Sequence, residues 1–152
     1  MVGRLDRESD DVLAALNVAA ARPEIDAGRL GVMGSSFGGT VSLLAAAKTG
    51  RFRCTVKFAG AAMNWERTPK LCRAMLDATA RLTAPIYFLQ AENDYSVAPT
   101  IELAATMAGG TVEVRSKVFP AFGLSHDEVH IFERAGPLIW GPEIRRFLQR
   151  WL

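Results

Sequence analysis

The chain alternates short apolar runs with segments of helical periodicity, and this alternation restricts its possible folds more than any other feature. The apolar runs occupy residues 29–34, 54–60, 85–92 and 111–119. None of them shows the strict polar alternation of a half-exposed strand, and such runs are typical of strands that are buried on both faces. Helices that alternate with strands of this kind predict an α/β fold, with about four mainly parallel strands flanked by helices.

The segments around these runs carry helix signals. A first helix is indicated by Leu5, Leu16 and Ala20 at helical spacing, with Pro23 and Gly28 after its end. The other predicted helices cover residues 37–49, 69–81, 98–109 and 142–152. Pro69 and Pro142 stand at first helical positions, which proline tolerates.

Length and composition fit one globular domain over residues 1–152. The 49% of hydrophobic and 22% of charged residues argue against disorder. A net charge of +2 is too small to suggest nucleic acid as the main partner. No stretch reaches the roughly 18 apolar residues of a membrane span, and the charged amino terminus does not resemble a signal peptide. We therefore expect a soluble, cytoplasmic protein with neither nucleic-acid nor membrane partners.

Residues 31–40 read GVMGSSFGGT and contain the motif G-x-S-x-G, with Ser36 as its serine. In this motif the serine lies on a sharp strand-to-helix turn. The backbone passes closely at the positions two residues before and after the serine, so these positions require small residues, here Gly34 and Gly38. The backbone N–H of Phe37 is then a donor to an oxyanion. A glycine-rich turn without chemistry is the alternative, but the position between a predicted strand and a predicted helix favours a nucleophile. A phosphate-binding loop is disfavoured because its lysine is missing.

A serine nucleophile needs a base, and the base needs an acid that holds its tautomer. The two histidines of the chain, His126 and His130, both follow the last predicted strand. Asp94 comes directly after the third apolar run and is the predicted acid. Glu92 is the alternative, although it still falls within that run. Spacing alone leaves both histidines open as the base.

Three segments resemble those of dienelactone hydrolase-like α/β-hydrolases. They are RPEIDAGRLGVMGSSFGG, AENDYSVAP and FPAFGLSHDEVHIFERAGPLIWGPEIRRFL, and they occur in the family's order. The resemblance implies an esterase or lactonase with a triad of Ser36, Asp94 and a histidine, and with no metal or organic cofactor. The letters HIF resemble the family's His-x-Phe and favour His130. Serine in place of the cysteine of many members points to a small-molecule carboxylic ester as substrate.

The chain departs from the family because several amino-terminal strands are missing, which implies a truncated α/β-hydrolase fold. The missing part includes the loop that supplies the second oxyanion donor. Asn64 or another subunit are candidates for a substitute donor. The strand at 29–34 would become an unpaired apolar edge, which predicts a homo-oligomer that covers it. Trp65 follows a strand end and is the predicted substrate contact.

The alternative to an enzyme is a shortened hydrolase without catalytic activity that serves as a binding or interaction module.

Overall fold

The computed structural model describes residues 1–152 and places four strands between two layers of helices. The elements in chain order are α1 (Val2–Ala20), β1 (Val32–Ser35), α2 (Phe37–Lys48), β2 (Thr55–Phe58), α3 (Pro69–Thr79), β3 (Ile86–Ala91), α4 (Ala98–Thr106), β4 (Val114–Phe119), α5 (His126–His130), α6 (Phe132–Ala135) and α7 (Pro137–Trp151). The predicted α/β class is confirmed. None of the helices is both long and apolar enough to cross a membrane.

The four strands form one sheet in the order β1-β2-β3-β4, and every neighbouring pair is parallel. Their registers bring Val32 beside Thr55, Thr55 beside Ile86, and Ile86 beside Val114. The carboxyl ends of the strands therefore lie along one edge of the sheet, which is where parallel α/β sheets carry their ligand sites. The segments after β1 and β3 both begin at this edge.

Alternate residues of β3 point into two separate cores. Ile86 and Phe88 belong to the core under the helices α1 to α4, whereas Tyr87 and Leu89 belong to the core under α7, with Phe147. All residues of β2 and β3 are buried. Burial on both faces explains why these runs lack polar alternation, and each large apolar side chain buried in this way contributes about 1.5–3 kcal/mol.

Strand β1 lies at the edge of the sheet and pairs with β2 alone. Strand β1 is also more exposed than β2, and Met33 in β1 is 55% exposed. An edge strand leaves one row of backbone N–H and C=O groups unpaired. The edge position agrees with the expectation from the missing strands, and the predicted homo-oligomer stays a prediction.

The final helix begins at Pro137, five residues before the predicted start at Pro142. Proline inside a helix removes the hydrogen bond to the carbonyl four residues earlier, here that of Leu138. Leu138 is 93% exposed, so water can bond to this carbonyl. The short helices α5 and α6 were not predicted, because 5 and 4 residues are too few to show a helical period.

Candidate active site

Ser36 lies on the turn between β1 and α2, and its backbone has the unusual angles φ 52° and ψ −118°. Such a conformation in a residue other than glycine costs about 1–3 kcal/mol and persists only where the surroundings hold it. The Ser36 N–H donates to the carbonyl of Phe58 at 2.9 Å, and the Ser36 carbonyl accepts from Thr40 N at 3.1 Å. The turn holds the serine at the carboxyl edge of the sheet, as the motif predicts.

The glycines around Ser36 differ in how much space they have. A Cβ on Gly34 would lie 2.3 Å from the carbonyl oxygen of Gly38, and a Cβ on Gly39 would lie 2.8 Å from that of Phe58. A Cβ on Gly38 would meet nothing within 4 Å. The expected need for a small residue therefore holds at Gly34 but is wrong at Gly38, where Gly39 makes the close approach instead.

Ser36, His130 and Asp94 form a continuous line of hydrogen bonds. The distance from Ser36 Oγ to His130 Nε2 is 2.6 Å, and that from His130 Nδ1 to Asp94 Oδ1 is 2.9 Å. In the neutral tautomer that this line requires, Nδ1–H donates to the carboxylate and the serine hydroxyl donates to Nε2. The arrangement has the geometry of a nucleophile, a base and an orienting acid.

Asp94 is held by three hydrogen bonds and is almost fully buried, with its side chain 1% exposed. Besides His130, its Oδ1 accepts from the Tyr95 N–H at 2.7 Å, and its Oδ2 accepts from Gln90 Nε2 at 3.2 Å. Gln90 itself donates to the Ser96 carbonyl at 2.8 Å and accepts from the Thr100 hydroxyl. The carboxylate thus has a fixed direction and satisfied oxygens.

His130 is the last residue of α5, and local contacts fix that helix. Ser125 and Glu128 form a capping box at its start. Val129 and Phe132 on either side of His130 are buried in the core under α7. The pKa of His130 is raised above its ordinary value of 6.5, chiefly by the hydrogen bond to Asp94, while burial acts in the opposite direction.

The alternative base and acid lie elsewhere. His126 is exposed, and its Nδ1 is 3.0 Å from the carbonyl oxygen of Asn93. Its ring stacks on Tyr95 at 5.2 Å. Glu92 accepts from the Ala121 N–H at 3.1 Å and does not contact His130. The structure therefore brings together Asp94 and His130, and neither alternative.

A cavity of about 210 Å³ opens beside Ser36 and Phe37. Its wall is mostly apolar and includes Leu5, Ala62, Met63 and Leu71. The contribution of α1 to this cavity could not be predicted from the sequence, because the spacing of Leu5 indicates a buried helix face and carries no sign of a ligand. The size and lining suit a small, weakly polar group next to the serine.

Trp65, the predicted substrate contact, does not line this cavity. It is only 5% exposed and belongs to the core under α1 to α4. Its indole N–H donates to Glu102 Oε2 at 3.1 Å. The prediction is therefore contradicted: the tryptophan follows a strand end but turns inward, where its large apolar surface is removed from water.

Two groups on the cavity wall can donate to an oxyanion. The N–H of Phe37 is in the first turn of α2, where backbone N–H groups lack intrahelical acceptors and the helix dipole favours negative charge. Asn64, whose side chain ends in an amide, is exposed and borders the same cavity. No strand lies beyond β1 to bring a second backbone donor from that side.

Comparison with known proteins agrees with this fold. The sequence profile of the dienelactone hydrolase family matches residues 3–139. A relative named probable 2-oxo-3-(5-oxofuran-2-ylidene)propanoate lactonase, from a Bradyrhizobium species, is 38% identical over 84 residues. The matched part is 55% of this chain and 34% of the relative, so the match spans about a third of the relative's length.

Solved structures show the same fold at low sequence identity. Dipeptidyl peptidase 4 of Porphyromonas gingivalis superposes with a TM-score of 0.73 at 22% identity, over 95% of this chain and 23% of that one. The 2,6-dihydroxy-pseudo-oxynicotine hydrolase gives a TM-score of 0.67 at 16% identity, over 97% and 47% of the two chains. Acetyl xylan esterase from Paenibacillus sp. R4 gives 0.63 at 20%, over 93% and 51%. The chain has an α/β-hydrolase fold and belongs to the dienelactone hydrolase family.

Proposed function

We propose that the chain is a serine hydrolase that cleaves small carboxylic esters or lactones through an acyl-enzyme. The observation that carries this proposal is the hydrogen-bonded line from Ser36 through His130 to Asp94. Family membership supports ester or lactone hydrolysis as the reaction class.

The reaction needs two proton transfers through His130. Ser36 Oγ attacks the ester carbonyl while its proton passes to Nε2, and the imidazolium then returns that proton to the departing alkoxide oxygen. Water attacks the acyl group by the same route and releases the acid and free Ser36. Asp94 stays ionised and orients the ring, and the Phe37 N–H stabilises the negative oxygen in both steps.

The cavity beside Ser36 limits the substrate. Its volume of about 210 Å³ and its apolar wall fit an acyl or alcohol part of a few carbon atoms. We expect short-chain esters to be cleaved faster than long-chain ones. The lactonase activity named for the Bradyrhizobium relative makes small lactones the second class to assay.

We also propose, from the open edge of β1, that the chain assembles with a second copy that covers this edge. Light scattering at micromolar concentration tests this: an oligomer is expected, and a stable monomer would contradict it.

The direct test of the enzyme proposal compares two adjacent serines. Ser36→Ala is expected to reduce hydrolysis of p-nitrophenyl acetate to the rate without enzyme, because the nucleophile is lost. Ser35→Ala is the matched control, since the Ser35 hydroxyl is buried without a hydrogen-bond partner in the same strand end. It should change the rate by a few-fold at most. Equal rates for both variants, or no serine-dependent hydrolysis at all, would support a non-catalytic interaction module instead.

A further inference from the structure

Gln90 is a polar residue inside the apolar strand β3, and the proposed proton transfers do not involve it. It stands one residue before the end of the strand and is 1% exposed. Its neighbours along the strand, Leu89 and Ala91, are both 0% exposed. Burial of a side-chain amide costs free energy unless hydrogen bonds satisfy its donors and its acceptor. The partners of the Gln90 amide therefore indicate its role.

Both polar atoms of the Gln90 amide have partners. Nε2 donates to the Ser96 carbonyl at 2.8 Å and to Asp94 Oδ2 at 3.2 Å. Oε1 accepts from the Thr100 hydroxyl at 2.5 Å. A carbonyl oxygen and an ionised carboxylate can only accept, so both require the NH₂ group of the amide on their side. The orientation of the amide is therefore fixed, with one N–H directed at the triad acid.

The groups that hold the amide belong to well-ordered parts of the fold. Thr100 is fully buried in the first turn of α4. The hydroxyl of Ser96 accepts from the Ala98 N–H at 3.2 Å, at the start of the same helix. Gln90 thus joins three parts of the molecule: strand β3, the turn that carries Asp94, and helix α4.

The two oxygens of Asp94 have different partners. Oδ1 bonds to His130 Nδ1 at 2.9 Å and accepts from the Tyr95 N–H at 2.7 Å, whereas Oδ2 accepts from Gln90. A carboxylate that is held at one oxygen can turn about its Cβ–Cγ bond, because this torsion has broad minima. Bonds at both oxygens fix the carboxylate plane. Without Gln90, Oδ2 would lose this bond while its side chain stays 1% exposed.

We propose that Gln90 is a positioning residue of the triad: its amide N–H holds the second oxygen of Asp94 and so fixes the plane in which the carboxylate bonds to His130. This inference rests on the proposed function, because the triad is its target. Gln90 does not line the cavity beside Ser36, so it acts through Asp94 and not on the substrate.

The first test replaces the amide and leaves its volume. Gln90→Met keeps the length of the side chain and removes both N–H groups. We expect kcat of p-nitrophenyl acetate hydrolysis to fall by about 10–100-fold, as is typical when a hydrogen-bonding partner behind a metal ligand is lost, which is the comparable case. KM should stay the same, because the cavity is unchanged.

Tyr87→Phe is the matched control in the same strand. It also removes a hydrogen bond to a carboxylate, that from the Tyr87 hydroxyl to Glu143 Oε2 at 2.5 Å, on the opposite face of the sheet. This variant should lower the melting temperature and leave kcat unchanged. A similar loss of kcat in both variants, or a loss of stability alone in Gln90→Met, would mean that Gln90 only supports the fold and would overturn the inference.

The second readout needs no turnover. The proton that His130 donates to Asp94 probes their hydrogen bond directly, because a bonded and buried proton exchanges slowly with water. We expect its NMR resonance in the wild type and in Tyr87→Phe, and faster exchange with water in Gln90→Met. An unchanged exchange rate in Gln90→Met would overturn the inference. Since no substrate is present, this result is obtained even if the esterase proposal fails.

If Gln90→Met does not fold, Gln90→Glu decides, because it keeps the size of the side chain. Two carboxyl groups then face each other, and one of them keeps a proton to higher pH than usual. When that proton leaves, Asp94 loses its donor. We therefore expect kcat of this variant to fall on the alkaline side, where that of the wild type should be constant. A kcat and pH profile equal to those of the wild type would overturn the inference.

Discussion

The two halves of the candidate active site differ in how completely this chain builds them. Asp94 and His130 are held by satisfied hydrogen bonds, a capped helix and buried neighbours, and Asp94 follows β3, which is paired on both sides. Ser36 follows β1, an edge strand with one neighbour, and the Phe37 N–H in the first turn of α2 is the backbone donor predicted at its side. For the proposed reaction, the difference means that the groups for proton transfer all lie within this chain, whereas a second oxyanion donor is not yet identified. Substitutions on the acid-base side should therefore cost more than those at the oxyanion donors.

The largest effect is expected from the histidines. His130→Ala should lower kcat of p-nitrophenyl acetate hydrolysis by about 10³-fold or more, because the serine loses its base. His126→Ala removes a ring that bonds to the Asn93 carbonyl and stacks on Tyr95, so a loss of a few-fold is expected. Steady-state kinetics of the two variants checks this. A larger loss in His126→Ala would contradict the assignment of the base.

The glycines test whether the turn itself is strained. Gly34→Ala would force its Cβ against the Gly38 backbone, so we expect a loss of about 1–3 kcal/mol in the free energy of unfolding and a large loss of activity. Gly38→Ala is the matched control, because its Cβ would have open space. Urea unfolding and ester hydrolysis measure both effects. Equal costs at the two positions would contradict the described turn.

A smaller effect is expected at the oxyanion side. Asn64→Ala should lower kcat by up to about 10²-fold with little change in KM, if its amide donates to the oxyanion only in the transition state. Met63→Ala, on the same cavity wall, is the control and should alter KM more than kcat. An unchanged kcat in Asn64→Ala would remove Asn64 as the second donor and would leave that place to another subunit.

The smallest expected effect is a pH dependence of stability. Because the folded pKa of His130 is raised, the protonated ring stabilises the fold. This contribution is fully present below the unfolded value of 6.5 and is lost as the pH rises through the folded pKa. Urea unfolding across this range should show it as a decrease that is absent in His130→Gln. The same decrease in that variant would assign the effect to another group.

The order of elements and two residues of the candidate triad, Ser36 and Asp94, could be predicted from the sequence because each rests on a local pattern. Ser36 stands in a motif between two predictable elements, and Asp94 follows a strand that is apolar throughout. The choice of His130 needed the family resemblance, since reach cannot be read from spacing. His130 reaches Ser36 because α5 is held by its capping box and by Val129.

Other features depend on the direction of side chains in three dimensions. The side chain of Trp65 turns into the core, and the sequence around a tryptophan does not show whether it faces the core or a cavity. The close backbone approach occurs at Gly39 and not at Gly38, and two adjacent glycines cannot be distinguished by sequence alone. Lys57 stands in a predicted strand, but its burial depends on the space that Gly60 leaves. Long-range packing of this kind leaves no local pattern in the sequence.

The central claim is that Ser36 is an activated nucleophile, and covalent labelling tests it most directly. The protein is treated with a fluorophosphonate, digested with trypsin and examined by mass spectrometry of the peptide that covers residues 30–48. We predict one adduct on Ser36 that is absent in Ser36→Ala and forms far more slowly in His130→Ala. No adduct on the wild-type peptide, or an adduct that persists in Ser36→Ala, would contradict the account.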